Sequence, residues 1–114
     1  MSIKLIASDL DGTLLTDKKE LSPGTRKALD MAAAQGIYIV PATGRSFESV
    51  PEMIREYPGV KYLITANGGA VYSAEAGKRI YQCLLSPESV DAAIAVRQRE
   101  KSVMEAVIDG IPYA

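Results

Sequence analysis

Ile3-Lys4-Leu5-Ile6-Ala7-Ser8-Asp9-Leu10-Asp11-Gly12-Thr13-Leu14-Leu15 lies near the start of a chain of 114 residues. Ile3 to Ser8 is a short apolar run of strand length, and it stops at two carboxylates and a glycine. Working outward, Ser22-Pro23 is a helix start, with Ser as N-cap and Pro in the first helical position, and Gly36 is placed to end that helix. Leu29, Ala32 and Ala33 between them are small and apolar at helical spacing, suited to packing on a sheet. Ile37 to Ala42 reads as a second strand. Ser46 to Tyr57 reads as helical, with Pro51 either kinking the helix or marking its true start. Val60 to Ala66 is a third strand, and Asn67-Gly68-Gly69 after it permits a tight turn. Val71-Tyr72 and Arg79 to Leu84 read as a hairpin. Ser86-Pro87-Glu88 starts another helix, Ser102 to Ile108 reads as a strand, and Asp109-Gly110 is a hairpin turn signal. Strands alternating with helices in this way predict an α/β fold around a parallel sheet.

Composition narrows the chemistry. A hydrophobic share of 47% and a charged share of 24% are those of an ordinary globular protein, which argues against a disordered or fibrous chain. A chain of this mass folds to roughly 6,000 Å² of surface from about 17,700 Å² extended, enough for one core. There is no histidine, which removes His-based nucleophile systems and His-ligated zinc. The single Cys83 excludes an internal disulfide and a cysteine-rich metal site. With 13 basic and 14 acidic residues, no broad positive field is available for nucleic acid or an anionic membrane. Lys18-Lys19 and Arg97 with Arg99 are the densest basic spots and read as solvated surface. The N-terminal apolar run is too short for a signal peptide or a membrane span, so the expected location is cytoplasmic.

Three polar residues occupy equivalent places: Asp9 after the first strand, Thr43 after the second and Asn67 after the third. In an open parallel sheet the carboxyl ends of the strands share one edge, where ligands bind, so these residues are expected to converge. Each alone is an ordinary turn residue. Asp9 and Asp11, at spacing i, i+2, place two like charges together, a cost that a divalent cation or a transferred group relieves. An oxygen-only ligand set suits Mg²⁺. In Ala42-Thr43-Gly44-Arg45, a hydroxyl, a glycine amide and a guanidinium make a small anion cradle, and no Walker-type phosphate loop is present.

Asp9-Leu10-Asp11-Gly12-Thr13-Leu14-Leu15 resembles the first signature motif of the haloacid dehalogenase superfamily, and Ala42-Thr43-Gly44-Arg45 resembles its second. Ile64-Thr65-Ala66-Asn67-Gly68-Gly69-Ala70, the hairpin after it and Ser86-Pro87-Glu88 further resemble the Cof-type branch, whose members carry a large (type II) α/β cap. The resemblance implies a Rossmann-like three-layer core and Mg²⁺-dependent hydrolysis of small phosphorylated metabolites such as sugar phosphates. Residue by residue, it implies that Asp9 is the nucleophile that becomes an aspartyl phosphate and that Asp11 is the general acid and base. Mg²⁺ would be held by the Asp9 carboxylate and the Asp11 backbone carbonyl. Thr43 and Gly44 would hold the phosphoryl group, and Arg45 and Asn67 would help position the phosphate or substrate.

The family's lysine motif and its acidic metal-binding loop are not in the sequence, and Lys78, Lys101 and Asp109 are not expected to replace them. The chain is therefore expected to be the N-terminal part of such a protein. Residues 1–84 would be part of the core, including the hairpin, and residues 85–114 the start of the cap. The chain alone is expected to be inactive as a phosphatase and prone to self-association through the exposed first strand or the unfinished cap. Two other readings stay open: a catalytically incomplete phosphate-binding or interaction module, and a phosphotransferase such as a mutase.

Overall fold

The computed structural model describes residues 2–114. β1 (Leu5–Ser8) and β2 (Tyr38–Pro41) run parallel, with Leu5 opposite Tyr38 and Ser8 opposite Pro41. Parallel neighbours need a crossover, and α1 (Pro23–Ala34) provides it. Its start is fixed by Ser22, whose Oγ accepts the Thr25 amide at 3.2 Å, and its end by Gly36 at φ +74, whose amide donates to the Ala33 carbonyl. Leu29 is the buried residue of α1.

β3 (Tyr62–Thr65) joins β2 through two parallel bridges, Ile39 with Val60 and Ala42 with Ile64. The chain then reverses, and β4 (Ala70–Ser73) and β5 (Lys78–Gln82) extend the order antiparallel. Pairing therefore runs β1-β2-β3-β4-β5, with β1 at a free edge among the described residues. The core is a layer of Leu10, Leu15, Leu21, Leu29, Ile39, Val50, Ile54, Tyr57, Val60, Leu63 and Tyr72.

The segment expected as one helix over 46–57 is broken into a 3₁₀ turn at Phe47–Ser49 and α2 (Glu52–Arg55), with Pro51 as the N-cap of α2. Pro51 cannot donate an amide, and it pushes the residue before it into extended geometry, so it marks the true start. After α3 (Pro87–Glu100), Lys101 turns left-handed at φ 51. The expected strand over 102–108 shortens to β6 (Ala106–Ile108), because its partner β7 (Ile111–Tyr113) offers a ladder of only three pairs. Asp109 and Gly110 between them both have positive φ, as a tight hairpin turn requires.

That turn is seated on the core. The Gly110 carbonyl accepts the Glu48 amide at 3.5 Å, and a Cβ at residue 110 would lie 2.6 Å from the Tyr72 hydroxyl. Beneath it, the Phe47 and Tyr72 rings stack at 4.2 Å. α3 buries no residue, and β1 exposes Leu5 and Ile6. The whole chain presents 7873 Å², against the roughly 6,000 Å² expected of a compact protein of its mass. No helix among the described residues is long and apolar enough to cross a membrane.

The contact between α1 and the sheet allows a paired test. A Cβ at Gly59 would stand 2.9 Å from the Ala33 Cβ and 3.3 Å from the Ile39 Cγ1, whereas one at Gly24 meets nothing within 4 Å. Gly59→Ala is expected to destabilise the chain by about 1–3 kcal/mol through overpacking. Gly24→Ala, in the first turn of α1, is expected to be neutral or to stabilise by up to about 1 kcal/mol. Urea unfolding of both variants checks the contrast, and equal midpoints would contradict the packing described.

Candidate active site

The site begins with Leu10. Its side chain is fully buried, while its carbonyl accepts the amides of Thr13, Leu14 and Leu15 at 3.3, 3.0 and 2.9 Å. The chain therefore turns tightly around a residue it cannot expose, and Asp9 and Asp11 on either side are left at the sheet edge. Burial of Leu10 is what converts an alternating sequence, Asp-Leu-Asp, into two carboxylates facing outward.

The structure brings Asp9, Thr43, Gly44 and Asn67 to one open recess of about 480 Å³, completed by Ala42, Ile64 and Gly68. β1, β2 and β3 each contribute their carboxyl end to it. Thr43 is buried; its Oγ accepts the Arg45 amide at 3.1 Å, which leaves its own proton to donate. Its carbonyl accepts the Asn67 amide at 3.1 Å. The Gly44 amide has no acceptor among the described residues, and a Cβ there would lie 2.9 Å from the Asn67 Oδ1. Gly44 is thus the residue that lets Asn67 approach. Ala66 and Asn67 are both left-handed, at φ 49 and 54, a backbone that non-glycine residues hold only when their surroundings impose it.

Asp11 and Arg45 do not line this recess. They form a separate cluster beside it. The Arg45 guanidinium grips the Asp11 carboxylate as a fork, Nε to Oδ2 and Nη2 to Oδ1, each at 2.8 Å, while its Nη1 donates to the Ser49 carbonyl at 2.7 Å. Lys19 adds a third donor, Nζ to Asp11 Oδ1 at 2.8 Å. Lys19 is therefore not merely the solvated surface its sequence suggested. The loop from Thr16 to Glu20 closes on itself, with the Thr16 amide on the Glu20 carbonyl and the Lys19 amide on the Thr16 carbonyl, both at 2.8 Å. That fold-back turns Lys19 toward Asp11. The sequence signal for it was a lysine eight positions after a carboxylate, which is no signal without the loop geometry.

These contacts set the electrostatics. The Arg45 fork, and then Lys19, hold the Asp11 carboxyl well below the usual carboxylate range, with partial burial opposing them weakly; Arg45 is pushed up by the same contact. Asp9 has no ion-pair partner among the described residues; its Oδ1 accepts the Leu10 amide at 2.8 Å. As a metal site, the donors are hard oxygens with no nitrogen or sulfur ligand nearby, which suits a divalent cation such as Mg²⁺. The carboxylate available to it is Asp9, since Asp11 is already neutralised. No group of three or more candidate ligands comes together among the described residues.

Two outcomes follow. Asp11 titrates below its unfolded value, so the stability its ion pairs supply is in place above the ordinary carboxylate range and is lost only as pH falls through the lowered value. Carboxyl ¹³C shifts are expected to show Asp11 still ionised at pH 4 and to return toward ordinary titration in Arg45→Met. Gly44→Ala should displace the Asn67 side chain, visible in its amide NMR signals, while costing less than about 1 kcal/mol, because the atom it meets ends a flexible side chain.

The family profile of haloacid dehalogenase-like hydrolases matches residues 6–110. Over 107 residues the chain is 34% identical to the HMP-PP phosphatase of Klebsiella pneumoniae, covering 94% of this chain and 39% of that protein. Over 74 residues it is 40% identical to the 5-amino-6-(5-phospho-D-ribitylamino)uracil phosphatase YcsE of Bacillus subtilis, covering 65% of this chain and 30% of the other. A solved haloacid dehalogenase-like hydrolase from Bacillus subtilis superposes with a TM-score of 0.74 at 34% identity, over 87% of this chain and 34% of that one. The chain thus spans about a third of the length of the relatives it matches. A profile match across nearly its whole length, on a fold shared with solved members, establishes that this chain belongs to the haloacid dehalogenase-like hydrolases.

Proposed function

We propose that this chain carries the nucleophile and phosphoryl-holding part of a Mg²⁺-dependent phosphomonoesterase acting on a small phosphorylated metabolite, such as a sugar phosphate. The observation that carries the reading is the shared recess of Asp9, Thr43, Gly44 and Asn67. It sets a carboxylate without a cationic partner beside a hydroxyl proton and a backbone amide with no acceptor. Those donors suit an anion, and the carboxylate suits an attack on it.

In that reading an Asp9 oxygen attacks phosphorus and the bond from phosphorus to the ester oxygen breaks. The leaving oxygen takes a proton from Asp11. Water then attacks the aspartyl phosphate, giving up its proton to Asp11 and restoring the Asp9 carboxylate. Thr43 and the Gly44 amide hold the phosphoryl oxygens through both steps. Bound Mg²⁺ would offset negative charge on the phosphoryl group, with the Asp9 carboxylate and the Asp11 carbonyl among its ligands. Asp11 can bring a proton only after the Arg45 fork loosens, so the clamped arrangement is the substrate-free state.

Turnover by the chain alone is a different matter. Losing one preorganised charge-stabilising contact costs about 10²- to 10³-fold in rate, and a lysine motif and an acidic loop are absent from the sequence. Purified chain is expected to bind inorganic phosphate weakly in ³¹P NMR titrations and to leave p-nitrophenyl phosphate with Mg²⁺ at the background rate. Thr43→Val should weaken phosphate binding by about 10-fold or more, the worth of a hydrogen bond to a charged group. Unchanged binding in that variant would refute the recess as the phosphoryl site.

A further inference from the structure

Two strands end the pairing order among the described residues, β1 and β5. A strand in that place offers unpaired backbone groups to another chain unless something blunts it. β5 is blunted: it opens on Lys78 and Arg79, and its register with β4 shifts between Val71 and Tyr72, leaving Ile80 unpaired. Charges and an irregularity of this kind discourage a further strand. β1 has neither. Leu5-Ile6-Ala7-Ser8 holds no charge and no proline, its ladder with β2 is regular, and Leu5, Ile6 and Ala7 are all exposed.

The free side of β1 follows from its bonded side. The Lys4 carbonyl accepts the Tyr38 amide at 2.9 Å, and the Ser8 carbonyl accepts the Ala42 amide at 2.8 Å. Alternate residues of a parallel ladder turn their amide and carbonyl to the same neighbour, so Lys4, Ile6 and Ser8 address β2 while Leu5 and Ala7 point outward. A two-fold axis normal to the sheet sets an identical strand antiparallel beside this one and keeps facing residues on one face. It can be centred on Leu5, Ile6 or Ala7. Centring on Leu5 puts Ile6 opposite Lys4 of the second copy, and centring on Ala7 puts it opposite Ser8. Centring on Ile6 sets Leu5 opposite Ala7 on both sides of the axis, each pair exchanging amide and carbonyl, with Lys4 opposite Ser8. The two Ile6 side chains then meet in a closely spaced pair. Ile6 is in register with the buried Ile39, so that contact continues the core layer across the axis.

We infer that this chain pairs with a second copy of itself, β1 against β1, antiparallel and centred on Ile6. The surface to be covered is available: 7873 Å² is about 1,900 Å² more than a compact protein of this mass presents, and a stable interface takes about 800 Å² from each partner. Ile3 and Tyr38 are exposed beside the strand and widen the contact beyond β1. Because the same edge is used on both copies, association closes at two.

Sedimentation equilibrium of the chain at rising concentration is expected to show a monomer passing to a dimer. Hydrogen exchange at the Leu5 and Ala7 amides should slow as the dimer fills, while the Ile6 amide, bonded to β2, stays slow throughout. Ala7→Pro removes an outward amide and no bond to β2, and it is expected to weaken association about 10-fold or more. Where that variant does not fold, cysteine pairs decide. In a Cys83→Ser background, Ile6→Cys is expected to oxidise in air to a linked dimer, since facing Cα atoms about 4.5 Å apart are within disulfide reach; Leu5→Cys is not. A monomer at every concentration would overturn the inference. So would a dimer whose Leu5 and Ala7 amides stay unprotected, linkage through Leu5→Cys rather than Ile6→Cys, or growth beyond two copies.

Discussion

Leu10 is the constraint on which the site depends. Its side chain is fully buried and its carbonyl gathers three amides, so the turn after β1 has one way to fold. A polar residue there would lose the burial that holds the turn, and a smaller one would leave a cavity. Because the residue between them must point inward, the two flanking aspartates have no choice but to face the sheet edge. The placement of Asp9 and Asp11 is thus secured by a leucine whose own side chain lies wholly in the core.

From that edge the two aspartates part company. Asp9 lies in the recess without a cationic partner, whereas Asp11 is held by two cations outside it. Identical side chains two residues apart are given opposite electrostatic surroundings. The Arg45 guanidinium also reaches the Ser49 carbonyl, in the 3₁₀ turn on which the Asp109–Gly110 hairpin is seated. The clamp on Asp11 and the seat of that hairpin therefore share one short segment of chain.

Much of this was legible in the sequence. Caps and periodicity located α1 and β2 to within a residue or two and the start of α3, because Ser22-Pro23 and Ser86-Pro87 are local signals with local causes. The convergence of Asp9, Thr43 and Asn67 followed from strand ends sharing an edge. Four things were not legible. The break in the 46–57 segment needed Pro51 to choose between two outcomes, both open in sequence. The antiparallel pairing of β4 with β3 depended on the turn at Ala66–Gly69, in which non-glycine residues accept positive φ. Lys19 depended on a loop closed by backbone hydrogen bonds, and no side-chain pattern records those. Arg45, read as a phosphate-positioning group, is placed on Asp11 by a fork that spans 34 positions of sequence, a distance over which local pattern carries no information.

The exposed helix α3 has a thermodynamic consequence. It buries no residue, so its hydrogen bonds and its caps, with the Ser86 Oγ accepting the Ser89 amide, must hold it nearly unaided. At 14 residues it sits near the length at which an isolated helix is marginal in water, roughly 12–15 residues. Its melting exposes little apolar surface and so carries almost no heat-capacity change. A calorimetric transition of this chain would report the β1–β5 layer and its core, while α3 dissolves gradually beneath the baseline, and enthalpies from calorimetry and from helical circular dichroism would disagree.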